Sequence, residues 1–351
     1  MSNNSSVFDA GIEHWIAYVG YSVEGLVLVV LNGLIMAVNF RYSNLRRRKD
    51  CFTLASLALA DLLRGLGYLL AGVYRLYLIV TDQAAVLRTA WQCLCTAHNL
   101  VWIIGEPSAA TMLLCISIDR LITAAFPVLY FESSLKYSYV LVGLFFGSAV
   151  VVGLGVVVVS LLEENVARYA AFCFTGWAMG ENHSYRQFYQ YTQITCYILS
   201  IVVYLWVPPL YYKNRIQVLP VKLKSLPREV DRQKRLMITM GISTFFTLIF
   251  SFGPRAASVM LQSVYKEDMS AQLYAAITSS LGLLENVNPA CNFWLYFIRH
   301  QEFRHALGMF LKCKGWNPNP TMPNSKRASV MRYSRANSRV SIEPSKMPEE
   351  M

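Results

Sequence analysis

CLCTAHNLVWIIGEPSAATMLLCISIDRL, residues 93–121, is an apolar run with cysteines at one end and an acid–arginine pair at the other. Cys95 and Arg120 lie 25 residues apart, or about 37 Å at 1.5 Å per residue, which exceeds the roughly 30 Å hydrocarbon core of a bilayer. The cysteines and Asp119-Arg120 therefore fall on opposite sides of a membrane.

Composition fits that setting. With 55% hydrophobic and only 15% charged residues in 351, a soluble domain could not bury its apolar surface. Apolar stretches of bilayer length run at about 15–39, 52–80, 92–126, 138–161, 188–212, 236–264 and 271–298. The expected fold is an all-α membrane protein, a bundle of seven transmembrane helices. Arg46, Arg47, Arg48 and Lys49 follow span one, and Lys213, Arg215, Lys222, Lys224, Arg228, Arg232, Lys234 and Arg235 fill the connection between spans five and six. The excess of basic residues places these loops in the cytoplasm and the N-terminus outside. Glycosylation sequons at Asn3, Asn4 and Asn182 fall on the outer side by the same rule. Residues 1–14 lack a basic start and an apolar core, so span one is expected to serve as its own targeting signal. The net charge of +11 reads as cytoplasmic-face bias, and no nucleic-acid partner is expected.

Most of the eight cysteines fall inside spans, as small buried hydrophobes do. Cys95 and Cys173 sit at the outer face, in the oxidising compartment, where a disulfide tying span three to the second outer loop is expected. Cys93 competes with Cys95 for that bond. Cys313, after the last span, is a palmitoylation candidate.

Further motifs appear in order along the spans: Leu31-Asn32-Gly33; Ser56-Leu57-Ala58-Leu59-Ala60-Asp61; Ser117-Ile118-Asp119-Arg120-Leu121 with Phe126-Pro127; Phe250-Ser251-Phe252-Gly253-Pro254; and Asn288, then Asn292-Phe293-Trp294-Leu295-Tyr296 with Phe303-Arg304. Each motif is weak alone, but the ordered set resembles the rhodopsin-like G-protein-coupled receptors over nearly the whole chain. The wording Asp119-Arg120-Leu121-Ile122 and Asn292-Phe293 with Tyr296 is most similar to nematode serpentine chemoreceptors of the Srsx type and related invertebrate peptide receptors.

That resemblance implies roles. An unpaired charge at mid-membrane costs at least about 2.5–3.5 kcal/mol, so Asp61 is expected to be held by Asn32, Asn288 and Asn292, with Tyr296 nearby. In the family the matching cluster can hold sodium, but Ala109 stands where a hydroxyl is usual and weakens that expectation. By the same resemblance Arg120 releases Asp119 and meets a G protein, its guanidinium suited to several carbonyls at a helix end. Lys234 stands where span six often supplies an acid to this arginine, so no lock there is expected. Pro254 should kink span six, with Phe252 in place of the usual tryptophan as a smaller lever. Phe293 in place of the usual proline predicts less kinking in span seven.

Charges with no business facing lipid outline a ligand cavity: Arg64, Glu106, Arg255 and Glu285 map to the bundle interior of the resembled fold. Mutual neutralisation as Arg64–Glu106 and Arg255–Glu285 is the structural alternative to gripping a ligand. Tyr68, His98, Trp102 and Gln262 would line the same volume, and Trp102 stands where amine receptors carry an aspartate, which disfavours a biogenic amine.

Other functions meet obstacles. No lysine occupies the middle of span seven for a retinal Schiff base, and only His98 among the histidines lies in the core, too few for an intramembrane metalloenzyme. No catalytic activity and no cofactor are expected. A polytopic transporter or channel is the alternative class; the chain lacks half-to-half similarity, but Pro107 and Pro208-Pro209 interrupt spans as transporter helices are interrupted.

Beyond Tyr296, apolar residues at 303, 306, 307, 310 and 311 predict a short amphipathic helix over about 300–312 on the inner leaflet, completing a receptor domain of residues 1–312. Residues 313–351 read as a disordered cytoplasmic tail, with Ser329, Ser338 and Ser341 as kinase sites able to recruit arrestin. The expected protein is a plasma-membrane receptor for an extracellular small molecule or peptide, in chemosensory or neuropeptide signalling through a heterotrimeric G protein.

Overall fold

The computed structural model describes residues 12–163, 166, 169–180, 182–218, 241–242, 244–261, 271–299 and 301–312. It divides into a unit Met1–Leu307 and a second, Gly308–Met351, of which residues 308–312 are described. The helices are α1 Ile12–Arg41, α2 Ser43–Arg46, α3 Lys49–Val80, α4 Ala90–Leu94, α5 Ala97–Ala125, α6 Pro127–Glu132, α7 Leu135–Leu162, α8 Thr175–Ala178 and α9 His183–Val218. A π-helical turn Leu248–Phe252 leads into α10 Gly253–Met260, followed by α11 Ala271–Glu285, α12 Val287–Arg299 and α13 Gln301–Leu311. Strands β1 Leu87–Arg88 and β2 Tyr169–Ala170 pair antiparallel and join two interhelical connections at one end of the bundle.

Among the described residues, five helices, α1, α3, α5, α7 and α9, are long and apolar enough to cross a membrane. α1, α3, α7 and α9 run past their apolar stretches, because backbone hydrogen bonding continues beyond the hydrocarbon boundary, whereas α5 starts later than its stretch, whose first residues form the separate helix α4. The central one is α5, which is buried along most of its length. α7 buries only Ser138, Val142, Ala149, Gly153, Val156 and Ser160, a stripe at steps of three, four and seven, while Val140, Leu144, Val151 and Leu162 are exposed. That pattern fits a peripheral helix with one narrow packing face and lipid on the others.

Two glycines permit the close approach on which the interior depends. A Cβ added at Gly65 would stand 2.6 Å from Leu28 Cβ, and one at Gly105 would stand 2.9 Å from the Arg64 backbone nitrogen. Gly105 thus lets α5 lie against α3 beside two of the charges.

Prolines set the local breaks. Pro254 has no N–H for the carbonyl four residues back, and the chain compensates by widening: Gly253 N–H donates to the Leu248 carbonyl, five residues earlier. The expected distortion of span six is therefore a π turn immediately before the proline. Span seven was expected to bend little, yet it breaks at Asn286 between α11 and α12. Pro289, which cannot donate to the Glu285 carbonyl, accounts for the break. Pro107 and Pro208-Pro209 are absorbed within continuous helices. In α13, Phe303, Ala306 and Leu307 form the buried face, whereas Leu311 is exposed.

The expected Cys95–Cys173 disulfide is corrected: the bond joins Cys93 to Cys173, across 80 residues. Cys93 lies on the buried face of α4, while Cys95 is the exposed residue closing that helix. A capping box between Thr89 and Gln92 fixes the start of α4 and with it the direction of Cys93. Asn182 is exposed and accepts a hydrogen bond from Tyr185 N–H at the start of α9. Asn3, Asn4, Cys313, Ser329, Ser338 and Ser341 lie outside the described residues.

Maleimide labelling of the unfolded, unreduced protein should follow this pairing. Cys93→Ser should free the Cys173 thiol and destabilise the receptor by about 2–5 kcal/mol. Cys95→Ser should remove one labelled thiol and leave the melting temperature unchanged.

Candidate functional site

The four charges singled out in the sequence converge from spans two, three, six and seven. Arg64 donates from Nη2 to Glu285 Oε2 at 2.7 Å. Arg255 donates from Nη2 to Glu106 Oε2 at 3.1 Å, and its Nε stands 3.5 Å from Glu285 Oε1. The pairing expected as Arg64–Glu106 and Arg255–Glu285 is thus exchanged in its strong contacts. Glu285 bridges both arginines, and Glu106 completes a ladder of alternating sign. Arg64 and Glu285 are almost wholly buried, and two cations against two carboxylates leave the ladder neutral.

Residues that sequence reasoning did not single out complete this site. Gln193 of α9, itself buried, accepts from Arg255 Nη2 at 2.6 Å. Tyr197, one turn further along α9, lies within electrostatic reach of all four charges. Glu24 of α1 accepts from Asn286 Nδ2 at 3.1 Å, so the break in span seven is itself tied to span one. Only Glu24 carried a signal, as another charge inside an apolar span; a glutamine or a tyrosine in an amphipathic stretch carries none.

An aromatic wall borders the ladder. Tyr68 stacks edge-on against Trp102 at 4.7 Å and Tyr21 at 5.3 Å, with the Arg64 guanidinium 5.8 Å from its ring centroid. His98, expected among the cavity residues, is engaged elsewhere: its Nε2 stands 3.1 Å from the Cys173 carbonyl, and neighbouring Asn99 donates to the carbonyls of Cys93 and Cys173. Both act as anchors for the disulfide-bonded connection. Phe252 closes the π turn, half-buried, and Gln262 lies outside the described residues.

The polar core divides in two. Asp61 is buried and hydrogen-bonded by Asn292. Asn288 instead donates to Thr247 Oγ1 at 3.2 Å and Ser251 Oγ at 3.0 Å, joining α12 to the π-turn region. Asn32 donates to the Leu28 carbonyl of its own helix. The expected three-asparagine cradle for Asp61 is therefore corrected to Asn292 alone among the three. A hard cation requires several oxygen ligands, and Asn288 is committed to Thr247 and Ser251 rather than to Asp61.

At the opposite end Arg120 and Asp119 are both buried, and Arg120 Nη2 stands 3.0 Å from Asp119 Oδ2. Tyr130, Tyr204 and Tyr296 surround the guanidinium within electrostatic reach. Burial raises the Tyr130 phenol above its ordinary range, against the opposing pull of Arg120. Lys49 donates to the Tyr130 carbonyl and, at 2.8 Å, to Ser133 Oγ, which fastens α6 to the start of α3. Arg48 forms an ion pair with Glu302 of α13. Lys234, Glu229 and Asp231 lie outside the described residues.

The family model described as serpentine type 7TM GPCR chemoreceptor Srsx matches residues 26–311. No curated protein matches the chain significantly.

Breaking the ladder on one side strands a charge. Arg64→Met should destabilise the purified protein by about 3–5 kcal/mol, and adding Glu285→Leu should restore most of that loss, because Arg255 retains Glu106 and Gln193. Thermal unfolding of the two single variants and the double variant measures the coupling.

Proposed function

The chain belongs to the Srsx family of serpentine, seven-transmembrane G-protein-coupled chemoreceptors, a receptor family rather than an enzyme family, and from this we propose how its two sites work together. The disulfide end faces outside and admits a small-molecule or peptide ligand to the volume bounded by Tyr68, Trp102 and the charge ladder. The Arg120 end faces the cytoplasm and meets a heterotrimeric G protein. Residues 1–312 form the receptor domain, and residues 313–351 a cytoplasmic tail open to receptor kinase and arrestin.

The observation that carries this reading is the convergence of Arg64, Glu106, Arg255 and Glu285 from four separate spans. A neutral ladder holds those spans in one arrangement, and a ligand that pairs with one member changes the balance among the others. It acts only through its unequal affinity for two helix arrangements. Span six carries Arg255 one residue after Pro254 and the π turn, so a change at the ladder bears directly on the distorted segment. At the other end, a moving span six uncovers Arg120, whose partner within its own helix is Asp119.

A chemosensory role follows from the family, and a neuropeptide ligand is a narrower version of the same mechanism. A transporter or channel on the same spans is the alternative class, and it predicts ion or solute flux without any G protein.

Nucleotide exchange on a panel of G proteins, in membranes bearing the chain, tests the assignment. Arg120→Ala should reduce exchange at least about tenfold, a loss of roughly 1.4 kcal/mol of coupling, with surface expression unchanged. Undiminished exchange in that variant would remove Arg120 from the coupling surface.

A further inference from the structure

Two arginines stand at the disulfide end of the bundle, and they face different ways. Arg75 is wholly buried on the inward face of α3, its Nε donating to the Phe172 carbonyl at 3.2 Å and its guanidinium enclosed by the rings of Phe174 at 4.3 Å and Tyr18 at 5.5 Å. Arg88, on β1, is half-buried and lines an open groove of about 900 Å³ that runs between α3, β1 and the junction of α4 with α5. Its Nε is buried without a hydrogen-bond partner, and its guanidinium forms no ion pair, among the described residues. The backbone that carries it is fixed on both sides. Arg88 pairs with Tyr169 across the two strands, and the next residue, Thr89, opens the capping box of α4.

Apart from Arg88 the groove is largely apolar. Leu70, Val73 and Tyr77 recur at steps of three and four along one face of α3, and Val86, Leu87 and Ala97 add to the same lining. α3 is a spanning helix that ends at Val80. Leu70 lies ten residues inside that end, or roughly 15 Å at 1.5 Å per residue, which is half of a hydrocarbon core of about 30 Å. The apolar lining thus reaches the depth of one leaflet, and Arg88, beyond the end of α3, stands at the level of that leaflet's headgroups. Val73 and Tyr77 are exposed, so the groove opens toward lipid. Tyr74, which also lines it, has a buried hydroxyl without a partner among the described residues and lies within electrostatic reach of Arg88.

We propose that this groove holds one phospholipid of the adjoining leaflet, its phosphate on Arg88 and an acyl chain along Leu70, Val73 and Tyr77. The planar guanidinium presents paired donors that match phosphate oxygens, and such charge-assisted bonds strengthen at the edge of the hydrocarbon, where water competes less. A cation at one end and a leaflet's depth of apolar wall at the other fit an amphiphile, whereas a free anion leaves the wall uncovered and an apolar molecule leaves Arg88 unpaired. His98, also on the groove, bonds the Cys173 carbonyl and packs against Tyr74 at 5.1 Å between ring centroids. The lipid therefore lies against an anchor of the disulfide-bonded connection. The site goes beyond the receptor reading, and its occupancy is measured with neither a signalling ligand nor a G protein present.

Dioctanoylphosphatidylcholine added to the full chain in detergent tests the site, because Cys95, exposed and on the groove, reports its occupancy. The lipid should slow, saturably, the maleimide alkylation that Cys95→Ser removes, and native mass spectra should show a single retained lipid with the same midpoint. Arg88→Gln, and Val73→Trp, which fills the apolar part of the groove, should each weaken both readouts at least about fivefold. Dioctanoylglycerol, which has the tails without the phosphate, and phosphocholine, which has the phosphate without the tails, should protect Cys95 at least about fivefold less well than the intact lipid. Equal protection by the diacylglycerol would overturn the phosphate anchor, and equal protection by phosphocholine would overturn the lipid in favour of a free anion. Undiminished binding in Arg88→Gln would remove Arg88 from the site. Should that variant not fold, the contrast of intact lipid with its two halves, made on the native chain, still decides.

Discussion

The ion-pair ladder of Arg64, Glu285, Arg255 and Glu106 is the interaction on which the arrangement of spans two, three, six and seven depends. In hydrocarbon no apolar driving force selects one helix packing over another, since lipid tails are as apolar as leucine. Charges do select, because each must find its counter-charge or carry a large solvation cost. Glu285, bridging two arginines, allows neither span two nor span six to slide without stranding a cation. Gln193 and Glu24 extend the same logic to spans five and one through hydrogen bonds. Close packing of α3 on α5 at Gly105 is what brings the Arg64 side of the ladder within reach of the rest.

Much of this was legible in the sequence, for physical reasons. Apolar length and basic flanks read as spans because the bilayer imposes both. The four ladder residues stood out because arginine and glutamate are rare at mid-membrane. Their pairing was not legible: either acid could have met either arginine, and the choice turns on side-chain directions that spacing does not specify. Cys93 and Cys95 could not be told apart for the same reason, until the capping box at Thr89 set which one faces inward. The break at Asn286 follows from Pro289, whereas Phe293, in place of the usual proline, lies inside the continuous helix α12.

Arg75 exposes a gap of a different kind. It satisfies the criterion that identified Arg64 and Arg255, a charge within an apolar span, but a position near a span end reads as a residue reaching for the interface. The structure turns it inward, beneath the disulfide-bonded connection, into rings that sequence scatters over span one, span three and that connection. His98 was expected to line the ligand cavity and Asn99 carried no signal at all, whereas both hold the backbone at Cys173.

The π turn at Leu248–Phe252 carries one further consequence. A π turn accommodates one residue more than a regular turn, so regularising it would rotate everything before it by about 100° against Pro254. Thr247 and Ser251 stand at the edge and within the body of that turn, and Asn288 holds both hydroxyls from the neighbouring helix. Asn288 therefore works as a latch on stored helical slack: while both bonds persist, the two halves of span six keep a fixed phase, and losing them frees the halves to counter-rotate, with an axial step of about 1.5 Å.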